Sequence, residues 1–250
     1  MTKREINIYR DAEELAQKAA EDFILLANNS VMCDGRFAVA LAGGSTPRSM
    51  YSLLGTRKYR REVPWQETHL FWGDERCVPP DHSDSNYRML RESLLSNVKI
   101  PSENIHRIAC EDGPSIAANR YQNQLKEFFQ LARGQFPVFD LVILGLGEDG
   151  HTASLFPRSD AVEEKERLVV APYVKKLSAY RVSLTLPVLN HARIVDFLVT
   201  WKSKAAITKK ILGTNAEPLN LPAARVQPVD GIVTWMVTQD AAGKIRINET

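Results

Sequence analysis

Phe37-Ala-Val-Ala-Leu-Ala-Gly-Gly-Ser-Thr-Pro47 decides the architecture. From Phe37 to Ala42 no polar residue interrupts the run. A continuous apolar stretch this short reads as a strand covered on both faces, as in a parallel sheet. Gly43 and Gly44 end it and let backbone approach a ligand closely. Ser45 and Thr46 bring hydroxyls. Pro47 suits the first position of a helix, where its missing N–H would be unpaired anyway. The spacing carries that helix to about Leu54. Free N–H groups and the positive dipole end at a helix start favour an anion. The stretch thus predicts a strand–helix unit and a phosphate cradle built on Gly43, Gly44, Ser45 and Thr46. An ordinary glycine turn with a Thr46 cap is the plain alternative. The Walker pattern GxxxxGK[ST] is absent.

The same alternation extends both ways. Glu5–Tyr9 reads as a short strand, and Asp11 with Glu14 as a capping box. Leu15, Ala19, Phe23 and Leu26 then make one helical face. Thr68–Trp72 and Phe139–Leu144 are further buried strands. Leu168–Val174, Arg181–Leu186, Ile194–Thr200 and Ile232–Thr238 complete the strand pattern. Helices are expected over Ser85–Leu95, from a Ser115 cap to a stop at Gly134, and over Lys202–Leu212. This order predicts an α/β protein: a Rossmann-like three-layer sandwich with a mainly parallel sheet, in one domain over residues 1–250. Crossovers should be right-handed. Ligands then belong beyond the carboxyl ends of the strands.

Composition narrows the class of function. The chain has 250 residues, 32 Lys+Arg against 30 Asp+Glu, and 44% apolar residues. That is too apolar and too balanced for a disordered chain. No basic stripe suggests nucleic acid; the densest run is Arg57, Lys58, Arg60 and Arg61, read as a solvated segment. No apolar run approaches the ~20 residues of a membrane helix. The N-terminus carries no apolar signal region. Cys33, Cys77 and Cys110 form no CxxC pair and no zinc-ligand spacing, so they read as packed, reduced thiols in a cytoplasmic protein.

Two more strand ends carry chemistry. Trp72-Gly-Asp-Glu-Arg76 sets two acids and an arginine after an apolar strand. Arg76 offers a planar fork of donors to an oxyanion or carboxylate, with Asp74 or Glu75 to orient it. A strand-end salt bridge is the plainer reading. The third end is Gly145-Leu-Gly-Glu-Asp-Gly-His-Thr152, which matches GxGxxG by letter. A dinucleotide site is discounted, because Pro157 forbids a sustained helix and no acid ends the next strand. What the loop offers is His151 beside Asp149, a candidate base near pH 7. His69, His82, His106 and His191 read as structural.

Together these loops resemble the 6-phosphogluconolactonase family, of the type related to glucosamine-6-phosphate deaminases. The matching stretches are Leu41-Ala-Gly-Gly-Ser-Thr-Pro-Arg48, Gly73-Asp-Glu-Arg-Cys-Val-Pro79 with Asp84-Ser-Asn-Tyr87, and Leu144-Gly-Leu-Gly-Glu-Asp-Gly-His-Thr-Ala-Ser-Leu-Phe-Pro157. Tyr180-Arg-Val-Ser-Leu-Thr-Leu-Pro187, Lys204-Ala205 and Leu221-Pro-Ala-Ala224 agree. The resemblance implies hydrolysis of 6-phospho-D-glucono-1,5-lactone in the oxidative pentose phosphate pathway, with no cofactor and no metal. It implies that Gly43–Thr46, Arg181 and Lys204 hold the phosphate. His151 corresponds to the catalytic histidine, and Asp74 and Arg76 to the acid and arginine beside the lactone. Either Asp74 or Asp149 orients His151. The one departure is Trp201-Lys202, where the family often has a glycine; Trp201 narrows the phosphate pocket, and Lys202 competes with Lys204 for the role. The implied partner is a small sugar-phosphate lactone, and the expected assembly a monomer or weak homo-oligomer.

Three rival readings remain. Deaminases of this type usually continue Gly-His-Ile-Ala-Phe-Asn-Glu-Pro, and the Asn-Glu pair used in ring opening is missing here. A serine esterase built on Ser45 fits poorly, because Pro47 stands where G-x-S-x-G needs glycine. A non-catalytic sugar-phosphate-binding module would usually have lost His151 or Arg76, and both are present.

Overall fold

The computed structural model describes residues 3–213 and 220–243. The chain opens with β1 (Lys3–Tyr9) and α1 (Ala12–Asp34). The Asp11 carboxylate accepts from Glu14 N at 2.9 Å, so the expected N-cap is formed, but the Glu14 carboxylate returns to Arg10 N at 2.6 Å, one residue before the N–H a capping box uses. Then come β2 (Phe37–Leu41), α2 (Ser45–Leu54), β3 (Thr68–Trp72), β4 (Asp74–Arg76) and α3 (Asn86–Ser93). They are followed by β5 (Ile105–His106), α4 (Pro114–Phe128), β6 (Leu141–Leu144), β7 (Val169–Val170), β8 (Tyr173–Val174) and β9 (Ala179–Leu184). The last elements are α5 (Leu186–Leu189), β10 (Ile194–Val199), α6 (Ala205–Leu212), β11 (Ile232–Thr238) and α7 (Gln239–Ala242).

Seven strands form one sheet in the order β1-β11-β10-β6-β2-β3-β5. Every pairing in it is parallel. Each residue of β2 and β6 is buried, as a sheet covered on both faces requires. From β2 the chain moves outward through β3 to β5. From β6 it moves the other way, through β10 to β11. The direction therefore reverses between β2 and β6, which pair through Val39 and Leu141. A reversal of this kind opens a crevice at the carboxyl ends, where open α/β sheets bind ligands.

A second, antiparallel sheet of order β4-β9-β7, with β8 also on β9, sits at the end of β3. Gly73 joins the two sheets: its N–H donates to Leu41 O at 2.8 Å and its carbonyl accepts from Leu184 N at 2.9 Å. The Tyr121 hydroxyl of α4 accepts from Trp72 N at 2.8 Å and donates to Trp72 O at 3.0 Å. The strand end that leads to Asp74 is thereby tied to the buried face of α4.

Several local expectations are corrected. Asp74–Arg76 is a strand rather than a loop, because β9 supplies its partner. α4 starts at Pro114, with Gly113 rather than Ser115 in the cap position, and ends at Phe128, not Gly134. Phe128 and Phe129 turn there into an aromatic cluster with Phe71 and Phe139. Leu168–Val174 splits into β7 and β8 at Ala171-Pro172, since Pro172 has no N–H to give a ladder. α2 starts at Ser45, two residues before Pro47. Among the described residues no helix is long and apolar enough to cross a membrane.

Candidate active site

The loops after β2, β6 and β10 meet β4 around a cleft of about 540 Å³. Gly43, Gly44, Ser45, Thr46, Asp74, Arg76, Asp149, His151 and Lys204 all line it. Sequence reading singled out each of these nine. Lys202 is exposed and does not line the cleft, so of the two lysines the fold brings in Lys204.

The glycine loop is fixed from both sides. The Tyr51 hydroxyl donates to Ala42 O at 3.0 Å, and Thr46 Oγ1 meets Thr200 Oγ1 at 2.6 Å. Thr46 thus serves the end of β10 and not the helix cap. Gly44 takes φ 105°, ψ 169°, which glycine alone adopts cheaply. No side chain caps α2. The N–H groups of Ser45 and Thr46 have no intrahelical partner and are left to the cleft, an arrangement suited to an anion.

His151 and Asp149 are held by a tight turn in which Gly147 N donates to His151 O at 2.8 Å. Asp149 Oδ1 lies 2.5 Å from His151 Nδ1, and the imidazole stacks on Phe156 at 4.2 Å. A Cβ on Gly147 would come within 2.0 Å of His151 Nδ1, so glycine there is a condition of the ring's position. Partial burial tends to raise the Asp149 carboxyl, but the hydrogen bonds and charge of His151 outweigh it and hold it below its usual value. Asp149 is therefore the acid in contact with the histidine. Asp74 is occupied elsewhere: its carboxylate accepts from Ser154 Oγ at 2.6 Å and Asn86 Nδ2 at 3.3 Å. The glycine-rich loop runs into a bridge between Thr152 and Leu155 rather than a helix.

Arg76 and Arg181 stand opposite one another across β4 and β9. Arg76 Nη1 donates to Asp84 O at 2.6 Å. The Nε atoms of both arginines are buried with no hydrogen-bond partner among the described residues. Burial, together with the Arg76 charge, pushes Arg181 below its ordinary guanidinium value. Two like charges with unpaired donors, packed side by side, call for an anion.

The site lies in a recognised family. A model of glucosamine-6-phosphate isomerases/6-phosphogluconolactonase matches residues 10–235. The chain belongs to that family. A 6-phosphogluconolactonase of Synechocystis sp. is 43% identical over 214 residues, covering 85% of this chain and 86% of the relative. One of Nostoc sp. is 35% identical over 98% of this chain and its whole length. The solved 6-phosphogluconolactonase of Trypanosoma brucei superposes with a TM-score of 0.85 at 28% identity, over 98% of this chain and all of that one.

Some residues in and beside the cleft escaped the sequence reading. Lys176 lines the cleft 4.0 Å from Asp149, and Glu148 lies 3.8 Å from Lys204. Asn86 fills the space beside Gly43 and donates to Asp74 O at 2.9 Å. Glu75, one of two acids considered for holding Arg76, accepts from the Arg76 backbone N–H at 2.8 Å and not from its guanidinium, and also from Asn86 N at 2.7 Å and Tyr87 N at 2.8 Å, capping α3. Burial pushes its carboxyl up against those bonds. None of the other four histidines lines the cleft, and His82 is exposed. His106 lies on Phe71 at 4.1 Å and is pushed down to about 4 by burial and by His69.

Trp201, at the cleft mouth, has φ 80° and ψ 130°, a conformation that favours glycine. Such strain costs on the order of 1–3 kcal/mol. Trp201 is 57% exposed, so little burial offsets it. Trp201→Gly should raise Tm by roughly 2–4 °C, a net gain near 1 kcal/mol after the glycine's extra unfolded-state entropy. Thermal melts of the two proteins check this; a lower Tm would mean that indole packing outweighs the strain.

Proposed function

We infer that this chain hydrolyses 6-phospho-D-glucono-1,5-lactone to 6-phospho-D-gluconate, the second step of the oxidative pentose phosphate pathway. It does so as a single-domain cytoplasmic enzyme, monomeric or weakly self-associating. Family membership and the naming of both cyanobacterial relatives support the activity. One observation carries the chemical reading: the His151 ring, oriented by Asp149, lines the same cleft as an uncapped helix start, Arg76 and Lys204.

Opening a lactone needs a base for water, a partner for the oxyanion and a proton for the leaving oxygen. Asp149 occupies His151 Nδ1, which leaves Nε2 as the base. Water adds to C1 as Nε2 takes its proton. The resulting oxyanion is stabilised by Arg76. The imidazolium returns the proton to the ring oxygen as the C1–O bond breaks, and the acid product ionises in solvent. Gly43–Thr46, Lys204 and Arg181 hold the phosphate, so that remote binding energy orients the ring. Asp74 buttresses the loop of His151 through Ser154.

Glucose-6-phosphate oxidised in situ to the lactone, with 6-phosphogluconate formation followed, tests the activity. A rate no higher than spontaneous hydrolysis would reject it, and release of ammonia from glucosamine-6-phosphate would be tried next. In the same assay Arg181→Ala should raise KM by roughly 10–100-fold with little change in kcat, the worth of a charge-assisted hydrogen bond. A loss confined to kcat would remove Arg181 from phosphate binding.

A further inference from the structure

Cys77 and Cys110 are 33 positions apart in sequence, yet their sulfurs lie 3.1 Å apart. Cys77 follows Arg76 directly at the exit of β4, and its N–H donates to Tyr180 O of β9 at 3.2 Å. Cys110 sits in the turn between β5 and α4, closed by Gly113 N on Cys110 O at 3.0 Å. An S–S bond of about 2.05 Å needs only a small further approach of the two sulfurs. Both cysteines are partly exposed, and Cys33 is exposed on its own elsewhere.

We propose that Cys77 and Cys110 form a thiol–disulfide exchange site, closed by low-molecular-weight disulfides such as oxidised glutathione, that clamps the strand carrying Arg76 to the β5–α4 turn. The exchange balances without any further oxidant. The Cys77 thiolate attacks one sulfur of oxidised glutathione, the glutathione S–S bond breaks, and one glutathione thiolate leaves. Cys110, losing its proton, attacks Cys77 Sγ and expels the second glutathione. Two protein thiols are oxidised and one glutathione disulfide is reduced to two thiols. The Arg181 charge near Cys77 favours the thiolate there, so Cys77 is the first nucleophile. Closing a chain loop of this length constrains the unfolded state far more than the folded one, where the sulfurs already meet.

The full chain is incubated with oxidised glutathione, then alkylated and digested without reduction. The expected product is a Cys77–Cys110 cross-linked peptide, with Cys33 outside it. Tm should rise by roughly 5–10 °C, and dithiothreitol should reverse the rise. Cys77→Ser and Cys110→Ser should each take one glutathione at the remaining cysteine of the pair and gain no Tm. Free, alkylatable Cys77 and Cys110 under conditions that modify Cys33 would overturn the proposal. So would two separate glutathione adducts on the pair, or a cross-link that leaves Tm unchanged or lower.

Discussion

His151→Ala lowers kcat by about 10²–10⁴-fold and leaves KM within a few-fold, the usual worth of a positioned base. The selectivity of that loss follows from the geometry. His151 touches Asp149 and Phe156, while the proposed phosphate contacts belong to the start of α2 and Lys204, which line the cleft, and to Arg181 of β9, which does not. Alanine should therefore remove the proton acceptor and leave the anchor intact. Asp149→Asn separates orientation from basicity. An asparagine can donate to Nδ1, which favours the tautomer with the proton on Nε2 and lowers the fraction of rings that can act as the base without removing the ring. Its loss should be smaller than that of His151→Ala, and it should displace the pH dependence of kcat, because the buttressing charge is gone. Steady-state kinetics across pH on the two variants checks both statements. Full turnover in His151→Ala would eliminate Nε2 as the base; an unmoved pH profile in Asp149→Asn would reduce Asp149 to packing.

The pairing behind that prediction was legible in the sequence because the two residues are neighbours on one loop. So was the parallel sheet, since Phe37–Leu41 and Leu141–Leu144 are apolar at every position and only a sheet covered on both faces uses such strands. Relations fixed by distant partners were not legible. Asp74-Glu75-Arg76 is polar and three residues long, and only pairing with β9 makes it a strand. Asp74 reaches Ser154 across 80 positions, and Cys77 reaches Cys110 across 33. No local pattern announces either contact. Glu75 illustrates the same limit. An acid after a strand suggests a partner for Arg76, yet its carboxylate is taken by the backbone of α3, eleven and twelve residues on. The backbone conformation of Trp201 is a further case, because no tryptophan advertises a glycine-like φ.

Arg76→Ala should lower kcat by about 10²–10³-fold, the usual cost of losing a donor to an oxyanion. The free protein should nonetheless be as stable as before, or more so. Arg76 keeps one side-chain bond, to Asp84 O, while its buried Nε has no partner among the described residues. A charged donor left unpaired in the interior disfavours folding, and Arg181 across the strand pair adds like-charge repulsion. An anion in the cleft beside Arg76 would satisfy its guanidinium group and offset the repulsion from Arg181. The cost in the free protein is thus what makes the site bind charge as it develops. Arg76→Lys keeps the charge but not the planar fork, so it should recover only part of the rate. Kinetics and thermal melts on the same preparations decide the matter. A fall in kcat with Tm unchanged or raised marks Arg76 as a group held ready for the oxyanion. A parallel fall in both would make it a strut of the β4–β9 sheet, and the oxyanion would need another donor.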